Sequence, residues 1–129
     1  MDKQMFNRFE NGKLVIEGKN IEISAIPWNE HTNFKGVFLK NIVAAEHTKG
    51  LLTCHLVHIE PGHKIGRHTH PISIELHEVI VGYGKCITEF GEIPYTKGVI
   101  AVLPENSPHE VLAGESGLYL FAKFINTQK

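Results

Sequence analysis

This chain predicts an all-β sandwich or barrel, on three observations. Short runs rich in Val, Ile and Leu recur along it, each closed by Gly, Pro or Asn. No helical period is sustained over any long segment. Its 129 residues suffice for one domain with its own core and not for two.

Each element follows from local pattern. Residues 14–17 and 21–24 flank Gly18-Lys19-Asn20, which predicts a hairpin. Residues 27–31 form a connection that places the single tryptophan, Trp28. Strands are expected at 36–43 and 51–59, the second closed by Glu60-Pro61-Gly62. Another runs over 74–81, with Gly82-Tyr83-Gly84 expected to turn the chain into 85–90. Residues 91–97, with Pro94, read as a short loop. Residues 99–103 are almost wholly apolar, which predicts burial on both faces. A turn over 104–108 leads to a return strand from His109 to Leu112; residues 118–125 finish the sheet and 126–129 form a tail. The domain reading is one unit over 1–129, with N-terminal strands to about residue 50 and a barrel core over about 51–125.

Composition removes several function classes. Thirteen basic against fourteen acidic residues leave a formal charge of -1, which predicts neither a nucleic-acid nor an anionic-membrane partner. No run approaches the roughly 18 apolar residues of a membrane span. The segment Met1 to Arg8 lacks the apolar core of an export signal, so a cytoplasmic location is expected. Cys54 and Cys86 carry no C-x-x-C spacing and lie in apolar runs, where a reduced cysteine behaves as a small hydrophobe.

Histidine is the compositional outlier: of nine, seven fall between His47 and His77. His68 and His70 stand one residue apart, and in an extended strand residues i and i+2 face the same side. A turn through Pro71-Ile72-Ser73 brings Glu75 back beside them. Two imidazoles and a carboxylate suit a first-row divalent metal. One more ligand is needed from a distant strand, and residues 98–109 offer it.

Gly62, His68, His70, Glu75 and Gly82 meet the spacing G-x5-H-x-H-x4-E-x6-G, which resembles the first motif of the cupins. Gly98, Pro104 and His109 resemble the second, G-x5-P-x-G-x2-H-x3-N, with Asn106 at its second glycine and Ala113 at its asparagine. Asparagine tolerates the left-handed turn conformation that glycine would take there. The fifteen residues between the motifs, 83–97, make a short spacer typical of compact single-domain microbial cupins. The resemblance implies a jelly-roll β-barrel. It also implies a metal site of His68, His70, Glu75 and His109 for one divalent ion, Mn, Fe, Ni, Co, Cu or Zn. Two coordination places would remain for water, dioxygen or a small-molecule substrate. It further implies a homodimer, with residues 36–43 and the preceding hairpin packed across a two-fold axis.

Other residues are weighed beside this set. His77 shares the parity of Glu75, so it is expected in the pocket as an outer partner of the metal site and the one candidate catalytic acid or base. Its plainer role is packing. Glu78 should face the other side. His55 and His58 have opposite parity, so at most one faces inward, and neither is expected as a ligand. His63 should be exposed, while His31 and His47 sit in loops. Arg67 should point outward. Tyr83 and Tyr95 are pocket phenols or turn and edge residues, and Phe38, Phe90, Phe121 and Phe124 are core or interface aromatics.

Two functions of different class follow. One is a metal-dependent enzyme on a small polar organic substrate, of dioxygenase, isomerase, lyase or decarboxylase type. Glu75 argues against the thiol dioxygenase branch, which the resemblance associates with three histidines and no carboxylate. Neither a Ser-His-Asp arrangement nor a Gly-rich nucleotide loop competes. The alternative is a non-catalytic module that binds or senses a small, sugar-like ligand. Such cupins are commonly fused to a helix-turn-helix domain, for which this length leaves no room.

Overall fold

The computed structural model describes residues 2–129. It opens with a helix that the sequence reading did not expect, α1 (Gln4–Glu10). Seven residues make a marginal helix in water, and this one is held by packing. Phe6, 2% exposed, meets Tyr119 edge-on at 4.7 Å, and Phe9 packs against Phe121 at 5.4 Å.

The hairpin follows as expected, β1 (Lys13–Ile16) on β2 (Lys19–Glu22), with Gly18 at positive φ in its turn. The remaining strands are β3 (Asn29–Glu30), β4 (Val37–Val43), β5 (Leu52–Ile59), β6 (Lys64–His68), β7 (Ser73–Thr88), β8 (Gly91–Thr96), β9 (Ile100–Leu103) and β10 (His109–Asn126). They form one antiparallel sheet in the order β3-β4-β5-β10-β7-β8, with β6 also on β10 and β9 also on β7. The architecture is an all-β jelly-roll barrel.

Two long strands shape it. The first half of β7 pairs with the second half of β10 and with β9. Its second half pairs with the first half of β10 and with β8. The register shifts between Ala113 and Leu118, where both strands pass from one wall of the barrel to the other. Gly82-Tyr83-Gly84 is therefore not a turn, as the glycines suggested, but the corner of a continuous strand.

Three further expectations are corrected. Residues 91–97 are mostly strand, not loop: β8 sits on the sheet edge, where Pro94 is tolerated. Residues 99–103 are buried on one face only. Ala101 and Leu103 point inward, while Ile100 and Val102 are 65% and 62% exposed. The expected tail is tied down, since Thr127 N–H donates to the Ile72 carbonyl at 2.8 Å and its hydroxyl to Glu105 at 2.7 Å. The strand expected at 36–43 is present as β4, inside the sheet between β3 and β5.

Alternation divides the apolar residues into two cores. The barrel interior gathers Val57, Ile59, Val79, Leu103, Leu118 and Leu120. A smaller cluster under α1, including Phe6, Leu56, Ile80 and Tyr119, covers the outside. Cys54 and Cys86 are buried and unbridged, and burial pushes both thiols up in pKa.

Candidate metal centre

Four elements converge inside the barrel. His68 ends β6 and pairs directly with His109, the first residue of β10. His109 is also paired with Thr88 of β7, so its backbone is held from both sides. His70 lies two residues past β6, and its carbonyl accepts the Asn106 N–H at 2.9 Å. Asn106 has φ +63, the left-handed turn conformation expected of an asparagine at a glycine position. Glu75 comes from β7, only 6% exposed.

The structure brings together the four residues that the motifs singled out. One donor atom from each of His68, His70, Glu75 and His109 lies within 4.8 Å of all the others. The imidazoles are oriented by backbone. His68 Nδ1–H donates to the Gly66 carbonyl at 2.6 Å, and His109 Nδ1–H to the Ser107 carbonyl at 2.9 Å. Both bonds leave Nε2 to face the cluster, the tautomer a metal requires. His109 Nε2 lies 3.1 Å from Glu75 Oε1.

His70 is the informative member. Its Nε2 is buried with no hydrogen-bond partner among the described residues, and Glu75 Oε1 stands 3.4 Å away. A buried polar atom is ordinarily satisfied, because leaving it bare costs about 1–3 kcal/mol. An ion shared by the four donors would satisfy it, so the residues present fit a divalent metal.

Glu75 is the electrostatic centre. Burial works against its ionisation, but the adjacent His77 and the hydrogen bonds of His109 and His77 to the carboxylate outweigh that, holding the carboxyl well below the usual range. Burial also opposes a charge on His109, yet its bonds to Glu75 and the Ser107 carbonyl raise its pKa. Burial lowers His68.

His77 points inward from β7 as its parity predicted, and it is 2% exposed. Its Nε2 meets Glu75 Oε2 at 2.8 Å, and its Nδ1 meets the Tyr95 hydroxyl, also at 2.8 Å. Tyr95, on β8, is fully buried, and burial drives its phenol far up in pKa, so it remains a hydrogen donor. Of the two roles weighed for Tyr95, it takes the interior one. Glu78 faces the other side, paired with Lys123.

Three of the four, His68, His70 and Glu75, line a cavity of about 120 Å3 whose other walls are mainly apolar, among them Leu39, Val57, Ile65, Leu120 and Phe124. His31 and His55 also line it. Sequence reasoning let one of His55 and His58 face inward without saying which, and gave His31 no place there. His55 shares strand parity with the inward Val57, which was the available signal. His31 is carried in by the loop before β4, for which no periodicity speaks. His58 faces outward and stacks on Tyr119 at 4.3 Å.

No family model matches the chain, and neither does any curated protein sequence. Solved structures do. A predicted oxalate decarboxylase from Thermotoga maritima superposes with a TM-score of 0.74 at 18% identity, over 88% of this chain and 99% of that one. A sugar phosphate isomerase of the cupin superfamily from Silicibacter pomeroyi gives 0.72 at 18%, over 84% and 76%. The chain folds as a cupin. Neighbours of this fold also include the cupin domain of Schizosaccharomyces pombe Cnp3, with a TM-score of 0.69 at 8% identity over 84% and 75%. At such identities the likeness establishes the fold. The chemistry must be argued from the site.

Proposed function

We propose that this cupin is a metal-dependent enzyme acting on a small organic molecule that chelates a divalent ion held by His68, His70, Glu75 and His109. The observation that carries the reading is the buried, partnerless His70 Nε2 within a three-imidazole, one-carboxylate cluster, three of whose members line a pocket. The ion, when bound, supplies Lewis acidity or a place for dioxygen, according to its identity.

The chain's own residues do the rest. His77 fixes the rotamer of Glu75 by holding Oε2, and Tyr95 fixes His77 in turn. The apolar walls exclude water and strengthen every charge interaction inside. Neither lysine nor arginine lines this pocket among the described residues. A phosphate or a second carboxylate would meet no counter-charge beyond the ion. The substrate class favoured is therefore a hydroxy-ketone, diketone or monocarboxylate. A homodimer belongs to the same reading, supported by the exposed apolar side chains of Met5, Ile100 and Val102.

The test pairs metal content with ligand discrimination. Protein supplied separately with Mn, Fe, Co, Ni, Cu or Zn is assayed by mass spectrometry. The loaded forms are then screened by thermal shift and by substrate loss over time. Uncharged and monoanionic chelators are expected to stabilise the loaded protein, one of them with turnover, while sugar phosphates and dicarboxylates do not. Failure of every metal to bind at near one ion per chain sinks the reading.

His77→Leu is expected to weaken metal affinity by about 10–100-fold, the usual cost of losing an outer partner. Tyr95→Phe keeps the His77–Glu75 bond and is expected to cost less than about tenfold. Chelator competition measures both, and an unchanged affinity in His77→Leu removes His77 from the positioning role.

A further inference from the structure

The outer face of the β5–β10 pair carries a second cleft of about 320 Å3. That is near the lower end of small-molecule pockets, about 300–1,000 Å3. Strand alternation sets it back to back with the candidate metal centre. Val57 and Leu120 line the inner pocket, and their chain neighbours His58 and Tyr119 line this one. Its walls are aromatic. The His58 ring lies flat on Tyr119, 4.3 Å away and 7° from parallel, and Trp28 and Phe38 stand beside them.

Three charged side chains, Lys3, Glu10 and Glu60, reach the cleft. Glu10 is taken up by the framework. Its Oε2 accepts Trp28 Nε1–H at 2.9 Å and lies 3.7 Å from Nζ of Lys40, a 2% exposed lysine that donates to the Ile23 carbonyl at 3.1 Å. Glu60 is different. Its carboxylate makes no hydrogen bond or ion pair among the described residues. Lys3 makes no ion pair among them either; its Nζ stands over the Tyr119 ring, 5.3 Å from the centre. His58 adds no positive charge near neutral pH, since burial lowers its pKa.

The cleft thus already seats an ammonium group on an aromatic face, carried by an exposed side chain just outside α1. A half-buried carboxylate waits beside it without a partner. Aromatic faces attract cations through the ring quadrupole, and the attraction grows as the cation loses water. Without Lys3, the cleft's fixed charges would be two carboxylates against the single ammonium of Lys40.

We propose that this cleft binds a small organic cation of the alkyl- or methylammonium class, which displaces the Lys3 ammonium from Tyr119 and takes Glu60 as its counter-ion. The site is independent of the metal centre and requires no metal.

Trp28, the sole tryptophan, lines the cleft and reports on it directly. The full chain is titrated with choline and, separately, with its uncharged carbon isostere 3,3-dimethylbutan-1-ol, while Trp28 emission is followed. Choline is expected to give a saturable change, and the alcohol to bind at least about tenfold more weakly. Lys3→Ala should bind choline more tightly than the wild type, because the internal competitor is gone. Glu60→Gln should bind it severalfold more weakly, with circular dichroism confirming that each variant is folded. No saturable change in either wild type or Lys3→Ala overturns the proposal. So does equal binding of the alcohol, or a folded Glu60→Gln that binds choline like the wild type.

Discussion

His109→Ala is expected to reduce bound metal from about one ion per chain to under a tenth, by more than the 10–100-fold that loss of an outer partner costs. His109 is 1% exposed and is fixed three times over, by the β6 and β7 ladders and by the Ser107 carbonyl. The substitution also leaves Glu75 Oε1 without its 3.1 Å partner, so the apoprotein should lose about 1–3 kcal/mol. Two measurements separate these effects. Mass spectrometry after dialysis reads the metal directly. Thermal melts with and without added ion read the linkage, which is worth about 2.7 kcal/mol at a hundredfold excess over Kd. The wild type should gain stability on loading, and His109→Ala should not. His58→Ala, on the opposite face of the sheet, is the control and should keep its metal. A His109→Ala protein that retains stoichiometric ion would refute the four-residue site.

The legibility of this site in the sequence has a physical cause. His68 and His70 stand two residues apart, so extended-strand alternation aims both at one point, while His109 was singled out by the resemblance of Gly98, Pro104 and His109 to the second cupin motif. Glu75 and His77 share parity on β7, and the structure turns both inward. What could not be read are the contacts made across the barrel. Tyr95 reaches His77 from eighteen residues away, because β8 pairs with the far half of β7. His31 enters on a loop, and loops carry no period. Those contacts depend on register, which is set by the whole sheet.

The fold was legible to the same depth. The hairpin of β1 and β2, the strands β4 and β5 and the first half of β7 were legible from their apolar runs and the Gly, Pro or Asn that close them. The errors fall where tertiary packing overrides local pattern. α1 has only Met5, Phe6 and Phe9 to announce it and exists because Tyr119 and Phe121 receive them. Ile100 and Val102 look buried by composition but stand on the outer side of β9. Glycine was read as a breaker at 82 and 84, where its actual use is close approach of two backbones.

That use makes Gly84→Ala the substitution with the largest expected effect on the fold. A Cβ at Gly84 would stand 2.0 Å from the Leu112 carbonyl oxygen and 3.2 Å from Ala113 Cα. These are backbone atoms of the facing strand, so no rotamer change relieves the clash. The strands must part where Gly84 pairs with Ala113 and Lys85 with Leu112. Ordinary overpacking costs about 1–3 kcal/mol, because side chains give way. Here the ladder itself must break, and a loss above about 4 kcal/mol is expected in urea melts of the apoprotein. Gly18→Ala is the contrast. Its φ is +75 but nothing lies within 4 Å of the new methyl, so only the left-handed backbone penalty of about 1–2 kcal/mol applies. The consequence reaches the candidate metal centre. Glu75 precedes the corner on β7, and His109 pairs with Thr88 beyond it, so the crossing sets the 3.1 Å between them. Gly84→Ala protein that remains folded at low temperature should therefore also bind metal more weakly, although residue 84 lies outside both the cluster and the pocket lining. Wild-type stability in that variant would show that the corner yields, and the close approach would then not be what requires glycine there.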